Sequence, residues 1–211
     1  MIELKALLSL NGFCKSDFLK DLVEAEDYGV IIGVDSGTKN LLNAGITADL
    51  VVGDMDSLEN LIHKIKSEKI IYPKEKDEID AELAIEYCKE KNLEEVNIVC
   101  WKGERVDMEY ALLMLLSRYR QLWIKLLDEK SETFYIDGFA ELEANSGEKW
   151  SILPIGGDAT VTLKGFKYEI DRKLMPKDKP YGVSNIAEKN KVIVHIHEGG
   201  VVVVRWKKNP L

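Results

Sequence analysis

Val30-Ile31-Ile32-Gly33-Val34-Asp35-Ser36-Gly37 and, after a short mixed stretch, Asp49-Leu50-Val51-Val52-Gly53-Asp54-Met55-Asp56-Ser57-Leu58 decide the fold of this chain. Each segment is a short apolar run that ends in carboxylates, as a strand buried on both faces of a parallel sheet does before it leaves the sheet. Open parallel sheets place ligands beyond the carboxyl ends of their strands, which is where Asp35, Asp54 and Asp56 fall. Side chains two apart on extended backbone share a side at roughly 6–7 Å. Two acids so placed repel unless a cation lies between them, and oxygen ligands suit a hard ion such as Mg²⁺. The pattern points to phosphate chemistry.

Outward from this core, strand candidates recur at 3–10, 69–72, 95–100 and 121–127 beside 29–34 and 49–53. Helix signals fall between them. Ser16 precedes Phe18, Leu19, Leu22 and Val23 on one helical face, and residues 36–44 read as a short helix stopped by Gly45. Ser57 opens a third pattern through Leu58, Leu61, Ile62 and Ile65; residues 78–91 and 106–120 make two more. This alternation predicts a doubly wound, mainly parallel α/β domain over 1–127 that holds a metal and nucleotide site.

Past residue 128 helical periodicity stops. Segments near 131–136, 148–155, 159–163, 166–170, 190–198 and 201–206 alternate or run apolar between glycines. They predict a small all-β sandwich over 128–211, with Glu198-Gly199-Gly200 as a hairpin turn and 173–180 as an exposed loop. The apolar run 201–204 reads as a sheet face in need of a cover.

The chain has 211 residues, 45 % hydrophobic and 31 % charged, and a formal net charge of -8. That charge argues against nucleic-acid or anionic-membrane binding. No apolar run is long enough to span a bilayer, and the first residues lack a secretory pattern, so a cytoplasmic location is expected. Cys14, Cys88 and Cys100 follow no zinc or disulfide spacing.

Two further segments carry chemistry. In Lys76-Asp77-Glu78-Ile79-Asp80-Ala81-Glu82-Leu83-Ala84, counting back from the apolar positions puts Asp80 and Asp77 at the head of the inward face. A cap at Asp77 and a dipole partner at Asp80 remain the structural alternative. In Gly103-Glu104-Arg105-Val106-Asp107, Arg105 offers a donor fork to phosphate oxygens just before a helix N-terminus, or simply pairs with Asp107.

Taken in order, Asp35 to Asn40, Ala48 to Ser57, Pro73 to Ala84, Gly103 to Asp107 and Tyr181-Gly182-Val183-Ser184-Asn185 resemble the motifs of the thiamine pyrophosphokinase family. The resemblance covers nearly the whole chain. It implies Mg²⁺-dependent transfer of diphosphate from ATP to the thiamine hydroxyl, leaving AMP. It also implies a β-sandwich C-terminal domain used for thiamine binding and dimerisation, and a homodimer with sites at its interface. By position, Asp54, Asp56 and Asp80 correspond to metal ligands, and Asp35 and Asp77 to site carboxylates. Lys76, Arg105, Asp107, Ser36, Gly37 and Asn40 correspond to nucleotide or phosphate contacts, and Ser184 and Asn185 to the thiamine pocket.

The chain departs from the family pattern at Ser36 (usually glycine), Ile79 (threonine), Met108 (histidine) and Leu112 (asparagine). These changes keep another heterocyclic alcohol such as a pterin open as acceptor, and a nucleotide- or thiamine-binding sensor as a role without turnover. His195 and His197 read as a polar strand face, Trp150 and Trp206 as core, and Cys14 as a packed thiol. Asn11-Gly12 reads equally as a turn or as a nucleotide approach.

Overall fold

The computed structural model describes residues 5–58 and 65–207. The helix pattern beginning at Ser57 falls largely on 59–64, outside the described residues, as does the start of the 3–10 strand. The chain divides into two units. One holds the described residues of Met1–Leu112 with Leu122–Asp128; the other holds Leu113–Gln121 with the described residues of Glu129–Leu211.

The first unit is built on six parallel strands: β1 (Lys5–Ser9), β2 (Val30–Val34), β3 (Leu50–Gly53), β4 (Glu68–Ile71), β5 (Glu95–Val99) and β6 (Trp123–Leu127). They lie in the order β6-β5-β1-β2-β3-β4. The chain runs outward from β1 to β4, then returns to place β5 on the other side of β1. The strand order therefore reverses between β1 and β5, where such sheets open a crevice. Leu7, Leu8, Ile32, Val51, Val52 and Ile98 are fully buried, which is why these strands read as continuous apolar runs rather than alternating ones. Each such side chain contributes about 1.5–3 kcal/mol on burial. The edge strand β4 carries Glu68 and Lys69 instead, which discourages further pairing.

Helices α1 (Ser16–Ala25), α2 (Gly37–Asn43), α3 (Asp80–Glu90) and α4 (Val106–Arg118) follow the expected segments, and a 3₁₀ turn spans Asp56–Leu58. Ser16 is the first helical residue rather than the cap, which is Lys15 with no side-chain bond. Gly45 does stop α2: at φ 72° it lets Ile46 N–H reach back to Leu41 O at 2.9 Å. Leu19 of α1 packs with Leu7, Ala44, Val99 and Leu127, and Leu41 of α2 with Ala48, Val51, Met55 and Leu58.

The second unit contains β7 (Ser131–Ile136), β8 (Phe139–Glu143), β9 (Lys149–Pro154), β10 (Ala159–Lys164), β11 (Ile170–Met175), β12 (Asn185–Ile186), β13 (Lys191–Glu198) and β14 (Val201–Trp206). All its pairings are antiparallel, in the orders β12-β9-β14-β7 and β11-β10-β13-β8. Trp150, Phe166, Ile152, Val161, Val194 and Val203 form a core shared by both sets. Strand β13 shows the expected alternation, with Val192, Val194 and Ile196 buried.

Three local expectations are corrected here. The strand placed at 166–170 lies instead at Ile170–Met175, so the first part of the supposed 173–180 loop is strand; Met175 is buried and pairs with Ala159. Glu198-Gly199-Gly200 does not turn a hairpin, because β13 pairs with β8 and β10 while β14 pairs with β7 and β9. Gly199 (φ 78°) and Gly200, where a Cβ would run into the Tyr135 side chain, carry the chain from one sheet to the other. Val201 and Val203 pack into the core of this unit, so that face of the 201–204 run already has its cover.

Candidate active site

A cavity of about 300 Å³ opens at the carboxyl ends of β1, β2 and β5, at the reversal of strand order. Leu10, Asn11 and Gly12 reach it from β1, Val34 and Asp35 from β2, and Cys100, Trp101, Gly103, Glu104 and Arg105 from β5. Ile79, Asp80 and Ala81 come from the start of α3, and Met108 and Leu112 from α4.

The rim depends on close backbone approach. Gly12 N–H donates to Cys100 O at 2.6 Å, and Leu10 and Phe13 N–H donate to Val99 and Lys102 O at 3.0 and 2.7 Å. The Asn40 amide donates to Leu10 O at 2.9 Å and Gly12 O at 3.1 Å. Ser9 Oγ donates to Gly37 O at 3.0 Å, where the absence of a Cβ lets α2 start against the end of β1. Ser36 is buried as the cap residue of α2. Ser36, Gly37 and Asn40 thus frame the cavity without lining it, and the Asn40 amide holds the main chain of the rim.

Three of the expected residues, Asp35, Asp80 and Arg105, share the cavity. Asp35 has a left-handed backbone (φ 45°), with its N–H on Val52 O at 2.7 Å and its Cβ against Gly53. Asp80 opens α3, and its Oδ1 lies 2.8 Å from Lys76 Nζ. That oxygen is shut off from solvent and accepts no well-aligned hydrogen bond. Lys76 also donates to Pro73 O at 3.2 Å. Arg105 grips Asp107 with two nitrogens, Nε at 2.9 Å and Nη2 at 2.5 Å, and this fork holds the Asp107 carboxyl down at about 2. The structural alternative for that pair is therefore realised, with Arg105 still on the cavity wall.

The other acids stand apart from the cavity lining. Asp54 Oδ1 accepts the Asp56 N–H at 3.0 Å, and Asp56 pairs with Lys74 at 2.8 Å on the exposed side. Asp77 is exposed and is not the cap of α3, which is Ile79. Among the described residues no group of three or more His, Cys, Asp or Glu side chains is placed to hold a metal ion. Asp56 and Asp80 each have a lysine partner, Lys74 and Lys76, which offsets their negative charge.

In the second unit Ser184 is exposed with φ 61°, and its N–H donates to Ser151 Oγ at 3.2 Å. Asn185 is buried, accepts from Tyr168 and Ile186 N–H, and donates to Tyr168 O, so it locks a loop. His195 and His197 stack at 4.1 Å, with His197 Nε2 2.9 Å from Thr162 Oγ1. Trp150 is core, edge-on to Phe166. Sequence reasoning overlooked Trp101, which lines the cavity with its indole N–H buried and unbonded; an isolated tryptophan after a strand carries no pattern.

Three of the four departures from the family pattern, Ile79, Met108 and Leu112, line the cavity with Leu10 and Val34, giving it an apolar portion beside its charged groups.

Two stretches of the chain match family models of known proteins. Residues 20–127 match the model of the thiamin pyrophosphokinase catalytic domain, and residues 140–201 that of the thiamin pyrophosphokinase vitamin B1 binding domain. Thiamine pyrophosphokinase of Bacillus subtilis (strain 168) is 30% identical over 155 residues, 69% of this chain and 72% of the relative. A crystal structure of thiamine pyrophosphokinase from Bacillus subtilis superposes with a TM-score of 0.85 at 24% identity, covering 97% of this chain and 100% of the other. Yeast thiamin pyrophosphokinase superposes at 0.79 with 14% identity, over 98% of this chain and 87% of that one.

Proposed function

This chain belongs to the thiamine pyrophosphokinase family, and from that premise we propose that it transfers diphosphate from ATP to the thiamine hydroxyl, releasing AMP. The observation that carries the reading is the cavity at the β1–β5 reversal, where Asp35, Asp80 and Arg105 converge inside the segment matched by the catalytic-domain model. Diphosphoryl transfer needs positioning and charge neutralisation more than covalent chemistry. Arg105 presents a fork to phosphate oxygens, exchanging Asp107 for the nucleotide, and Lys76 adds a second cation beside Asp80. Asp35, on the cavity wall, orients the acceptor hydroxyl and takes its proton; this role suits it better than the exposed Asp77. The apolar wall of Ile79, Met108 and Leu112 excludes water from the reacting groups.

The donor set suits a divalent cation, taken here as Mg²⁺. Mg²⁺ is usually held by one or two carboxylates plus substrate phosphates rather than by a protein cage, and Asp80 offers a shielded oxygen without a well-aligned donor. Asp80 would hold it together with Asp54 or Asp56, and it would neutralise charge on the transferring phosphates. In the 128–211 region, Ser184 presents its hydroxyl to the aminopyrimidine while Asn185 holds the loop that carries it. The exposed Phe139, Tyr168, Leu174 and Val183 of that region support a homodimer contact. No helix among the described residues is long and apolar enough to cross a membrane.

Purified protein incubated with ATP, Mg²⁺ and thiamine should form AMP and thiamine diphosphate in equal amounts. AMP without thiamine diphosphate, or neither product, would refute the reading. A pterin alcohol run in parallel is expected to give no product.

A further inference from the structure

Cys14 and Cys100 lie far apart in sequence and meet beside the cavity. The backbone bonds from Leu10, Gly12 and Phe13 to Val99, Cys100 and Lys102 lay the segment ending at Cys14 along the one that holds Cys100. The two sulfurs lie within interaction range of each other, and both residues pack into the cluster of Leu7, Val99 and Leu127. Ser9 Oγ donates to Cys100 Sγ at 3.7 Å. Cys100 is buried, has a left-handed backbone (φ 53°) and lines the cavity, whereas Cys14 is partly exposed. Cys88 sits apart, fully buried in α3.

We propose that Cys14 and Cys100 form a redox-sensitive dithiol that a peroxide-class oxidant converts to a disulfide, switching the site off; the activity part of this rests on the function proposed above. Cys14, the more accessible sulfur, attacks as thiolate on a peroxide oxygen. The O–O bond breaks, hydroxide leaves, and Cys14 becomes a sulfenic acid. The Cys100 sulfur then attacks the Cys14 sulfur; an S–S bond forms, the S–O bond breaks, and the hydroxyl departs with the Cys100 proton as water. Overall two thiols lose two electrons and one peroxide becomes two waters. The contact with Cys14, reinforced by burial, pushes the Cys100 thiol upward, so Cys100 suits the resolving step rather than the first attack. Bridged sulfurs sit about 2.0 Å apart, so closure pulls the Leu10–Gly12 rim toward the end of β5. Regulatory disulfides of this kind are transient in reducing compartments.

The test uses the whole protein treated with hydrogen peroxide, alkylated, and digested with trypsin without reductant. The expected result is peptide Ala6–Lys15 linked to Asn92–Lys102 and thiamine diphosphate formation reduced by about tenfold or more, as a rim shift near 1 Å warrants. Dithiothreitol should reverse both. Cys14→Ser, or Cys14→Ala if the serine variant folds poorly, should keep the reduced activity and lose both linkage and inhibition. Absence of the linked peptide, linkage with unchanged turnover, or inhibition that persists in the Cys14 variant would overturn the proposal. Absence of turnover in the reduced protein would count against the pyrophosphokinase reading alone, and the peptide map would still decide the disulfide.

Discussion

Replacing Gly12 with alanine tests whether the cavity rim is as tightly specified as its contacts indicate. A Cβ at this position would stand 2.9 Å from the Cys100 carbonyl carbon, with the Cys100 and Lys102 oxygens closer still. Ordinary contact begins near 3.4 Å, so the rim must move by at least half an ångström, and the obstacles are main-chain atoms that cannot rotate away. That movement strains the ladder from Leu10, Gly12 and Phe13 and the two bonds from Asn40. Overpacking of this kind costs about 1–3 kcal/mol, or roughly 2–12 °C in Tm for a chain of this size. The larger effect falls on catalysis, because a displacement near 1 Å among reacting groups lowers rates by about a hundredfold. Scanning calorimetry and kcat/KM for thiamine diphosphate formation measure the two effects. Gly138→Ala serves as control: nothing lies within 4 Å of its Cβ, so its stability should stay within about 0.5 kcal/mol. A Gly12→Ala enzyme with kcat/KM near that of the parent would refute the reasoning.

Other expectations follow from single contacts. Asp80→Asn should reduce Mg²⁺-dependent turnover by about a hundredfold or more while Tm moves little, since the amide keeps the carboxylate's shape and its oxygen can still accept from Lys76; matched losses of Tm and turnover would mark Asp80 as structural. Arg205 is held between Glu148 at 2.9 Å and Glu132 at 3.1 Å over the Trp150 ring, so Arg205→Ala should destabilise by about 3 kcal/mol in denaturant titration. Burial disfavours the charged form of Glu148, yet hydrogen bonds from Arg205 and Asn145 outweigh it and hold the carboxyl below its ordinary value of 4.5. Its stabilisation is therefore complete above that value and is lost as pH falls through the lowered folded-state value; Glu148→Gln should flatten the acid limb of a Tm–pH curve. Leu112→Asn places an amide where Leu112 is 2 % exposed, and should cost about 1–3 kcal/mol unless substrate supplies the amide's partner, which a thiamine-dependent recovery of Tm would reveal.

The strands at 30–34, 49–53 and 95–100 were legible because burial on both faces leaves an unbroken apolar run, and few other elements produce one. Strand order was not, since nothing local in Lys5–Ser9 says that its neighbours are residues 30–34 and 95–99. Asp35, Asp80 and Arg105 stand out through their residue types at strand and helix ends, and the fold brings all three to one cavity. Why Asp54, Asp56 and Asp77 stay off that cavity wall was hidden, because sequence alone shows neither the exposed pairing of Asp56 with Lys74 nor the exposure of Asp77. The β13–β14 connection was misread for a similar reason: both strands bury one face in the same core, so the pattern is identical whether the glycines between them turn back or cross over. Strand β8 was overlooked because Phe139–Glu143 is short, with Phe139, Glu141 and Glu143 exposed.

The insertion of β1 between β2 and β5 also governs when the cavity comes into being. Its walls come from residues 10–12, 34–35, 79–81 and 100–112, and β5 docks on β1 across an intervening chain that holds three further strands. Such a pairing brings its reward only after a long loop has been closed. During synthesis, a nascent chain halted before residue 95 would carry β1 through β4 with one side of β1 bare and no pocket at all. Ligand binding therefore reports on completed assembly: nucleotide or thiamine cannot act as a template on an early intermediate, and stabilises only chains that have already closed the sheet.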